Sequence, residues 1–218
     1  MDICEGIIKR RLKIRWNIRT RVDTVDHMML QCLKKAGCNG IHYGVESGSQ
    51  RVLDVLNKGI TIDRVRRTFN MTKICGIPIL AYFMIGNPTE KLTEIHETFR
   101  FMKELKPDYI LLAVFTPFPG TRVYLDGVKT GSISNDYWRE FSRNPGPDFE
   151  IPHWGEVFSK KELRDLLVRG YRDFYLSPSY IIKSFCKLQS LGELKKKAAA
   201  GIGLLRFNRS NGGSAARL

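Results

Sequence analysis

The sequence lacks long apolar runs and closely spaced cysteines. No stretch of about twenty uninterrupted apolar residues occurs, which argues against a transmembrane helix. The first residues also lack the apolar core of a signal peptide, so a cytoplasmic location is expected. The five cysteines stand singly, without the spacing of a zinc site or a cluster-binding loop, and we expect them to be free thiols.

Acidic residues are also few, and the formal net charge is +14. From residue 151 onward, basic side chains outnumber acidic ones by more than two to one. Such a surface can attract nucleic acid or anionic lipid. No stacking aromatics or recognised binding module accompany the charge, so a solvated face is favoured and no nucleic-acid partner is expected. The basic C-terminal helices offer a surface for peripheral membrane contact.

Apolar runs and helical patterns alternate along the first half of the chain. The pattern predicts strands that are separated by helices, with the strands at residues 13–19, 40–45, 79–85 and 109–115. Such alternation is typical of right-handed βαβ units, hence of a parallel α/β fold. The run ILAYFMI at residues 79–85 is apolar throughout, which predicts a strand buried on both faces.

Capping residues predict where the helices begin. Asp23 or Thr24 is expected to start the helix that ends at Ala36, Thr61 to start the next long one, and Thr89 the one after it. Four parts are predicted: a barrel segment over 1–126, an aromatic loop-rich connection over 127–158, a basic helical extension over 159–207, and a flexible tail over 208–218.

Residues 40–61, GIHYGVESGSQRVLDVLNKGIT, carry the strongest functional signal. An apolar strand runs into Glu46, Ser47 and Ser49, and a helix follows at once. A carboxylate and two hydroxyls therefore lie at the carboxyl end of a strand, where parallel α/β folds bind ligands. Two interpretations stay open: Glu46 contacts a ligand, or it forms an ion pair with a basic partner such as Arg19 or Arg21.

Four segments occur in an order that resembles a known family. RTRVDTV, GIHYGVESGSQRVLDVLNKGIT, AYFMIGNPTE and VFTPFPGTRVY look like the second half of a radical SAM barrel. The resemblance is to the branch with an N-terminal cobalamin-binding domain, which includes anaerobic magnesium-protoporphyrin ester cyclases and hopanoid-modifying enzymes. The later segments LRDLLVRGYRDFY and LSPSYI resemble the same branch.

The resemblance implies a partial (β/α) barrel, with the four predicted strands as its third to sixth, followed by a helical extension. In the family, a [4Fe-4S] cluster binds S-adenosylmethionine and reduces it to release a 5′-deoxyadenosyl radical. Cobalamin is a cofactor of full-length members. A small-molecule substrate is implied, without its identity.

The same resemblance assigns roles at the strand ends. Glu46 and Ser47, with Ser49 beside them, would hold the ribose or methionine part of the cosubstrate. Arg19 and Arg21 would meet its carboxylate.

Two later turns would form the adenine pocket. Gly86, Asn87 and Pro88 would shape the wall beside the ring, and backbone groups at Phe115 and Thr116 would recognise it. An ordinary strand-to-helix turn and a plain rigid turn are the respective alternatives.

The chain departs from the family in one decisive respect. The family's cluster ligands form a C-x-x-x-C-x-x-C loop, and no three of the five cysteines have that spacing. Catalysis by these residues alone is therefore not expected; a missing N-terminal segment or a separate chain would supply the cluster. Two alternatives are a non-catalytic module that binds a partner through its open sheet edge, and a basic membrane-surface or nucleic-acid-binding protein.

One position in the AYFMIGNPTE segment differs from the family: relatives often have glycine where this chain has Thr89.

The four histidines, His27, His42, His96 and His153, are expected to be structural, because none has a second ligand at metal spacing.

Overall fold

The computed structural model describes residues 2–133, 135–147, 149, 151–186, 192, 199 and 201–203. It divides into two compact units, residues 1–160 and residues 161–218. Among the described helices, none is long and apolar enough to cross a membrane.

The first unit is built on a four-stranded parallel sheet with the strand order β1-β2-β3-β4. Its strands are β1 (Trp16–Thr20), β2 (Cys38–Glu46), β3 (Ile79–Ile85) and β4 (Tyr109–Val114). Each strand pairs with the next one along the chain, and a helix lies between them, as the alternating pattern predicted. The parallel α/β fold is thereby confirmed.

Seven helices accompany this sheet in the first unit. They are α1 (Asp2–Lys9), α2 (His27–Lys35), α3 (Gln50–Val55), α4 (Ile62–Ile74), α5 (Leu92–Leu105), α6 (Arg122–Thr130) and α7 (Tyr137–Arg143). The last one, α7, lies in the stretch 127–158 that was expected to be loop-rich.

The two faces of the sheet differ in burial. One face is buried and contributes these residues to the core: Ile41, Tyr43, Val45, Ile79, Ala81, Phe83, Ile85, Ile110 and Leu112. On the other face, the alternate residues of β3 are only half-buried, and those at the start of β4 are exposed. The prediction that residues 79–85 are buried on both faces is therefore wrong for the second face. Apolar side chains alone do not tell a buried face from a half-open one.

Helix starts agree with the sequence at one position and differ at two. Thr61 caps α4 through its side chain, as predicted. Asp26 caps α2, whereas Asp23 accepts hydrogen bonds from Arg21 instead. Thr89 adopts a left-handed conformation, φ 58°, so α5 begins only at Leu92.

The second unit contains α8 (Lys160–Tyr175), which starts at the boundary between the units, and α9 (Pro178–Cys186). An aromatic cluster joins the two helices: the Tyr180 ring lies 5.1 Å from Phe174 and 4.9 Å from Tyr175, centroid to centroid. Such ring contacts stabilise the helix pair in addition to the stabilisation that comes from burying the Phe174 side chain. The predicted helix to residue 207 and the tail after it lie almost wholly outside the described residues.

The turn between β2 and α3 packs directly on α5. At Gly48, an added Cβ would lie 2.7 Å from the Thr98 Cα and 2.7 Å from the Phe101 Cβ. Only a residue without a side chain lets the turn approach the helix this closely.

We therefore expect Gly48→Ala to destabilise the protein. The added methyl group meets backbone and cannot be accommodated by a side-chain rotation, so the free energy of unfolding should fall by about 1–3 kcal/mol. Chemical denaturation followed by circular dichroism measures it. The matched control is Gly6→Ala in α1, where an added Cβ meets nothing within 4 Å; an equal loss in both variants would contradict the packing argument.

Candidate functional site

Three of the four strands end in polar or glycine-containing turns at the same edge of the sheet. Because all strands are parallel, their carboxyl ends meet there. Glu46 ends β2, the Gly86–Pro88 turn follows β3, and Phe115 follows β4. Phe115 N–H continues the ladder by donating to the Ile85 carbonyl at 2.8 Å. The structure thus brings the sequence-predicted residues of β2, β3 and β4 to one edge.

Glu46 occupies a β-bulge with an unusual backbone conformation. Its φ is 74°, and the pairing of β2 with β3 skips Val45. A non-glycine residue in this region is uncommon, and bulges are frequent beside functional sites because they redirect a side chain. Here the carboxylate turns back over Gly44, where an added Cβ would lie 2.6 Å from Glu46 Oε1.

Lys58 is the ion-pair partner of Glu46. Its ammonium donates to Glu46 Oε1 at 2.7 Å, and both side chains are largely buried, with 20% and 16% of their area exposed. Glu46 therefore has a basic partner, as one of the two interpretations held, but the partner is Lys58 and neither Arg19 nor Arg21. Oε2 of Glu46 accepts no hydrogen bond from the described part of the chain and remains available to a ligand.

Arg19 and Arg21 lie at different positions along the strand direction. Arg21 follows β1, where it donates two hydrogen bonds to Asp23 and one, at 2.7 Å, to the Lys58 carbonyl. The Asp23 side chain raises the pKa of Arg21, and Arg21 lowers the pKa of Asp23. Arg19 instead lies opposite His42, four residues before Glu46. The structure therefore brings Arg21, but not Arg19, close to the loop that carries the Glu46 partner.

Ser47 and Ser49 hold the turn against α5. Ser47 Oγ is fully buried, lies 3.2 Å from Thr98 Oγ1, and accepts the Ser49 N–H at 3.1 Å. Thr98 Oγ1 also accepts the Gly48 N–H at 2.9 Å. These bonds satisfy polar groups that burial would otherwise leave unpaired at a cost of about 1–3 kcal/mol each.

A second polar contact between the same elements involves Arg51 and Glu94. The Arg51 guanidinium donates to both carboxylate oxygens of Glu94 at 2.6 Å and to Thr89. This bidentate pair lowers the pKa of Glu94 to about 2. Ser49 Oγ donates to the same carboxylate at 3.3 Å. The left-handed Thr89 is thus tied to α3.

The turn after β3 contains a buried carboxyl group. Gly86 has a φ of 75°, and Pro88 is half-buried. Asn87 donates through its backbone N–H and its side-chain amide to Glu90 Oε2, at 3.0 and 3.1 Å. Glu90 is fully buried, and burial raises its pKa to about 7. Asn87 Oδ1 and Glu90 Oε1 have no partner among the residues described.

The residues after β4 belong to an aromatic cluster. Phe115, Tyr124, Ile133 and Trp154 form its buried centre, with Leu56 and Met84 at its border. Thr116 Oγ1 donates to the Val114 carbonyl at 3.3 Å. Trp154 donates to Glu156, which also accepts the Thr89 N–H at 3.1 Å. The aromatic segment therefore packs beside the strand ends.

Sequence reasoning missed four of the residues that shape this edge: Lys58, Glu90, Glu94 and Thr98. Lys58 lies in a polar loop, where no sequence pattern predicts a contact with Glu46. Glu90 follows a turn in an ordinary sequence context, and Glu94 and Thr98 look like surface residues of a helix. The one usable signal for the last two is their i, i+4 spacing, which places them on one side of α5.

Within the described residues, no group of histidine, cysteine and acidic side chains could hold a metal ion. The five cysteines are free thiols; Cys4 and Cys38 are buried, whereas Cys186 is exposed, against the expectation that all would be buried or semi-buried. The donor set of these residues therefore does not fit a [4Fe-4S] cluster.

Residues 1–102 match the sequence profile of the Radical SAM superfamily. The chain is thus related to radical SAM enzymes, as its motifs indicated. An uncharacterized methyltransferase of Pyrococcus horikoshii is 30% identical over 93% of this chain and 42% of its own length. An anaerobic magnesium-protoporphyrin IX monomethyl ester cyclase of Rubrivivax gelatinosus is 28% identical over 86% of this chain and 33% of its own length. The chain thus spans less than half the length of these curated relatives.

Solved structures show the same fold. The cobalamin-dependent S-adenosylmethionine radical enzyme OxsB, in its apo form, superposes with a TM-score of 0.60 over 91% of this chain and 34% of its own, at 21% identity. Coproporphyrinogen III oxidase of Escherichia coli, a radical SAM enzyme, gives a TM-score of 0.55 over 80% of this chain and 36% of its own, at 14% identity.

The buried carboxyl group of Glu90 predicts a pH-dependent stability. Its folded pKa, about 7, lies above the ordinary value of 4.5, so the folded state holds a proton that the unfolded state releases. Stability is then lost as the pH rises from about 4.5 to about 7. Glu90→Gln cannot ionise and keeps an oxygen for the two N–H groups of Asn87. Relative to the parent protein, it should gain about 2.5 kcal/mol between pH 5 and pH 8.

Urea denaturation at the two pH values measures this difference. Glu94→Gln on the same helix is the matched control. Its parent carboxylate has a pKa of about 2, below the tested range, so this variant should lose stability by a constant amount from pH 5 to pH 8. A Glu90→Gln difference that does not change with pH would contradict the buried acid.

Proposed function

We propose that this chain forms the S-adenosylmethionine-holding part of a radical SAM active site, and that residues outside these 218 bind the [4Fe-4S] cluster. The Glu46 geometry carries the proposal: a carboxylate at the carboxyl end of a parallel strand, redirected by a bulge, with one oxygen held by Lys58 and the other unoccupied by protein. The superfamily match over residues 1–102 supports it.

In this proposal the four parallel strands are strands three to six of a (β/α) barrel. The continuous order β1-β2-β3-β4 and the likeness to solved radical SAM enzymes support this assignment. The neighbouring strands on either side would come from residues outside the sheet described above.

Each residue at the strand ends then has a defined task. Glu46 accepts hydrogen bonds from the ribose or the methionine part, and the ion pair with Lys58 holds its side chain in place. Ser47 and Ser49 act indirectly, since their hydroxyl groups already anchor the turn to α5. Arg21, near the Lys58 loop, meets the carboxylate of the cosubstrate.

The turns after β3 and β4 form the adenine side. Gly86 lets the backbone approach a planar ring, and Asn87 Oδ1 has no protein donor among the described residues, so it can accept from an amino group. Pro88 and Thr116 border this wall, and Phe115 anchors it to the aromatic cluster.

The cluster would supply the electron that cleaves the cosubstrate, and it belongs to another part of the active site. A cluster-binding segment, in the same protein or in a separate chain, is therefore a required partner. Cobalamin is proposed only for the assembled enzyme, since relatives of this chain include structures solved with cobalamin and a [4Fe-4S] cluster bound, such as a methyltransferase of Kitasatospora setae.

Glu46→Gln should weaken binding of S-adenosylmethionine about tenfold. The substitution keeps the shape but replaces charge-assisted hydrogen bonds with neutral ones, and a loss of 1.4 kcal/mol is tenfold in Kd. Equilibrium dialysis of the full chain with radiolabelled S-adenosylmethionine measures it, and S-adenosylhomocysteine serves as a second, cluster-independent ligand.

The matched control is Glu104→Gln on α5, which removes a carboxylate paired with Arg66 at 2.6 Å. It should leave cosubstrate binding unchanged. If the parent protein and the Glu46→Gln variant bind S-adenosylmethionine equally well, the assignment of Glu46 as a contact to the cosubstrate is contradicted.

Anaerobic reconstitution of the 218-residue chain with iron and sulfide should yield no [4Fe-4S] absorption band. The physical reason is that no three of its cysteines have the required spacing. Iron and sulfide analysis after desalting gives the stoichiometry. One cluster per chain, lost in Cys→Ala variants, would overturn the proposed division of the site.

A further inference from the structure

The half-open face of the sheet carries a polar group that the cosubstrate site does not use. On this face, Arg19 of β1 lies opposite His42 of β2, and His42 lies opposite Leu80 of β3. His42 Nδ1 is 3.2 Å from Tyr82 Oη, and the two rings meet edge to face at 6.0 Å. The sequence-based expectation for His42 was a purely structural role.

Arg19 has a guanidinium without a protein acceptor. Its residue is exposed, and within the described part of the chain it makes no hydrogen bond or ion pair. The cationic side chains around it differ in this respect: Arg21 is paired with Asp23, and Lys58 with Glu46. Arg19 is thus a charge available to an anion on this face.

His42 and Tyr82 together offer one more donor, whichever tautomer the imidazole adopts. Half-burial and the charge of Arg19 lower the pKa of His42, so its ring is neutral at neutral pH and has one N–H. If Tyr82 donates to Nδ1, the Nε2–H remains; if Nδ1–H donates to Tyr82, the phenolic O–H remains. In both cases one donor of the pair is left for a ligand.

The same face also provides an apolar surface beside these donors. Tyr109 lies opposite Leu80, and Leu111 lies opposite Tyr82. Tyr109 is 51% exposed and Leu111 is 42% exposed, although both belong to a strand whose alternate residues are buried. A ligand with an apolar body could cover them while an anionic group reaches Arg19.

This polar group borders the Glu46–Lys58 pair on the same face of the sheet. His42 precedes Glu46 by four residues, which corresponds to about 13 Å along a strand. The Glu46 carboxylate and Lys58 Nζ, however, lie over Gly44, and Gly44 lies opposite Tyr82. A ligand on Arg19 and His42 would therefore lie on the amino-terminal side of this ion pair.

We propose that Arg19, His42 and Tyr82 bind a carboxylate group of the substrate, whose apolar body lies on Leu80, Tyr109 and Leu111. A single guanidinium with neutral donors matches one negative charge, which favours a carboxylate over a doubly charged phosphate. As a statement about the substrate, the inference rests on the proposed function. The binding site itself can be tested without the cosubstrate.

The test is a titration of the full chain, labelled with ¹³C and ¹⁵N at histidine, with sodium benzoate as the probe. Benzoate combines a planar apolar body with one carboxylate. His42 is identified by the signal lost in His42→Gln. We expect benzoate to shift the His42 ring resonances in a saturable manner, benzyl alcohol to produce no saturable shift, and phenyl phosphate to bind more weakly than benzoate.

Substitutions locate the site. Arg19→Gln should weaken benzoate binding about tenfold, since a charge-assisted contact is lost, and Tyr82→Phe about threefold. The matched control is Arg15→Gln: Arg15 is also exposed near β1, but it donates to Asn39. It should bind benzoate like the parent protein. A loss in Arg15→Gln equal to that in Arg19→Gln would show a non-specific charge effect and overturn the site, as would benzyl alcohol binding as well as benzoate. Tighter binding of phenyl phosphate would overturn the carboxylate assignment.

The two proposals fail in different ways. Glu46→Gln should leave benzoate binding intact, and Tyr82→Phe should leave S-adenosylmethionine binding intact. Benzoate binding without any cosubstrate binding would refute the proposed function and retain the anion site. The reverse result would refute the anion site alone.

Discussion

The β2–α3 turn is held against α5 by buried hydrogen bonds, and the candidate site depends on this contact. Thr98 Oγ1 forms hydrogen bonds with Ser47 Oγ and the Gly48 N–H. The Glu94 carboxylate accepts hydrogen bonds from the Ser49 hydroxyl and the Arg51 guanidinium. Ser47, Ser49, Thr98 and Glu94 are buried, so leaving one of these groups without its partner costs more than the bond contributes. The same contact sets the direction of the chain after Glu46 and anchors Thr89 beside it.

The two faces of the sheet differ in their burial and in the side chains that they carry. The face under the helices is a closed apolar core, as the zero exposure of Tyr43 and Phe83 shows. The other face keeps polar side chains at partial exposure, with a cationic residue at its first strand and apolar residues at its last. Parallel sheets are usually covered on both faces. A half-open face with unused donors is therefore a natural place for a ligand or for further parts of an enzyme.

Electrostatics distinguishes the acidic groups around the strand ends. Glu94 is kept ionised by a bidentate arginine, whereas burial favours the protonated form of Glu90. Glu46 differs from both in its contacts, with one oxygen held by Lys58. Among these three side chains, Glu46 combines a fixed position with an oxygen that has no described protein donor, which is what a ligand contact requires.

The sequence by itself determined the parallel α/β fold and the position of Glu46 at a strand end, because these follow from local periodicity and turn residues; the order of the strands was implied by the family resemblance. Only the tertiary structure decided that Lys58 pairs with Glu46 and that Glu90 is buried. It also decided that Thr98 and Glu94 form hydrogen bonds with the β2–α3 turn, which lies about fifty residues away in the sequence. It also separated Arg19 from Arg21 and placed Arg19 beside His42. Such pairings depend on strand register and helix packing, and a single sequence carries no local signal for either.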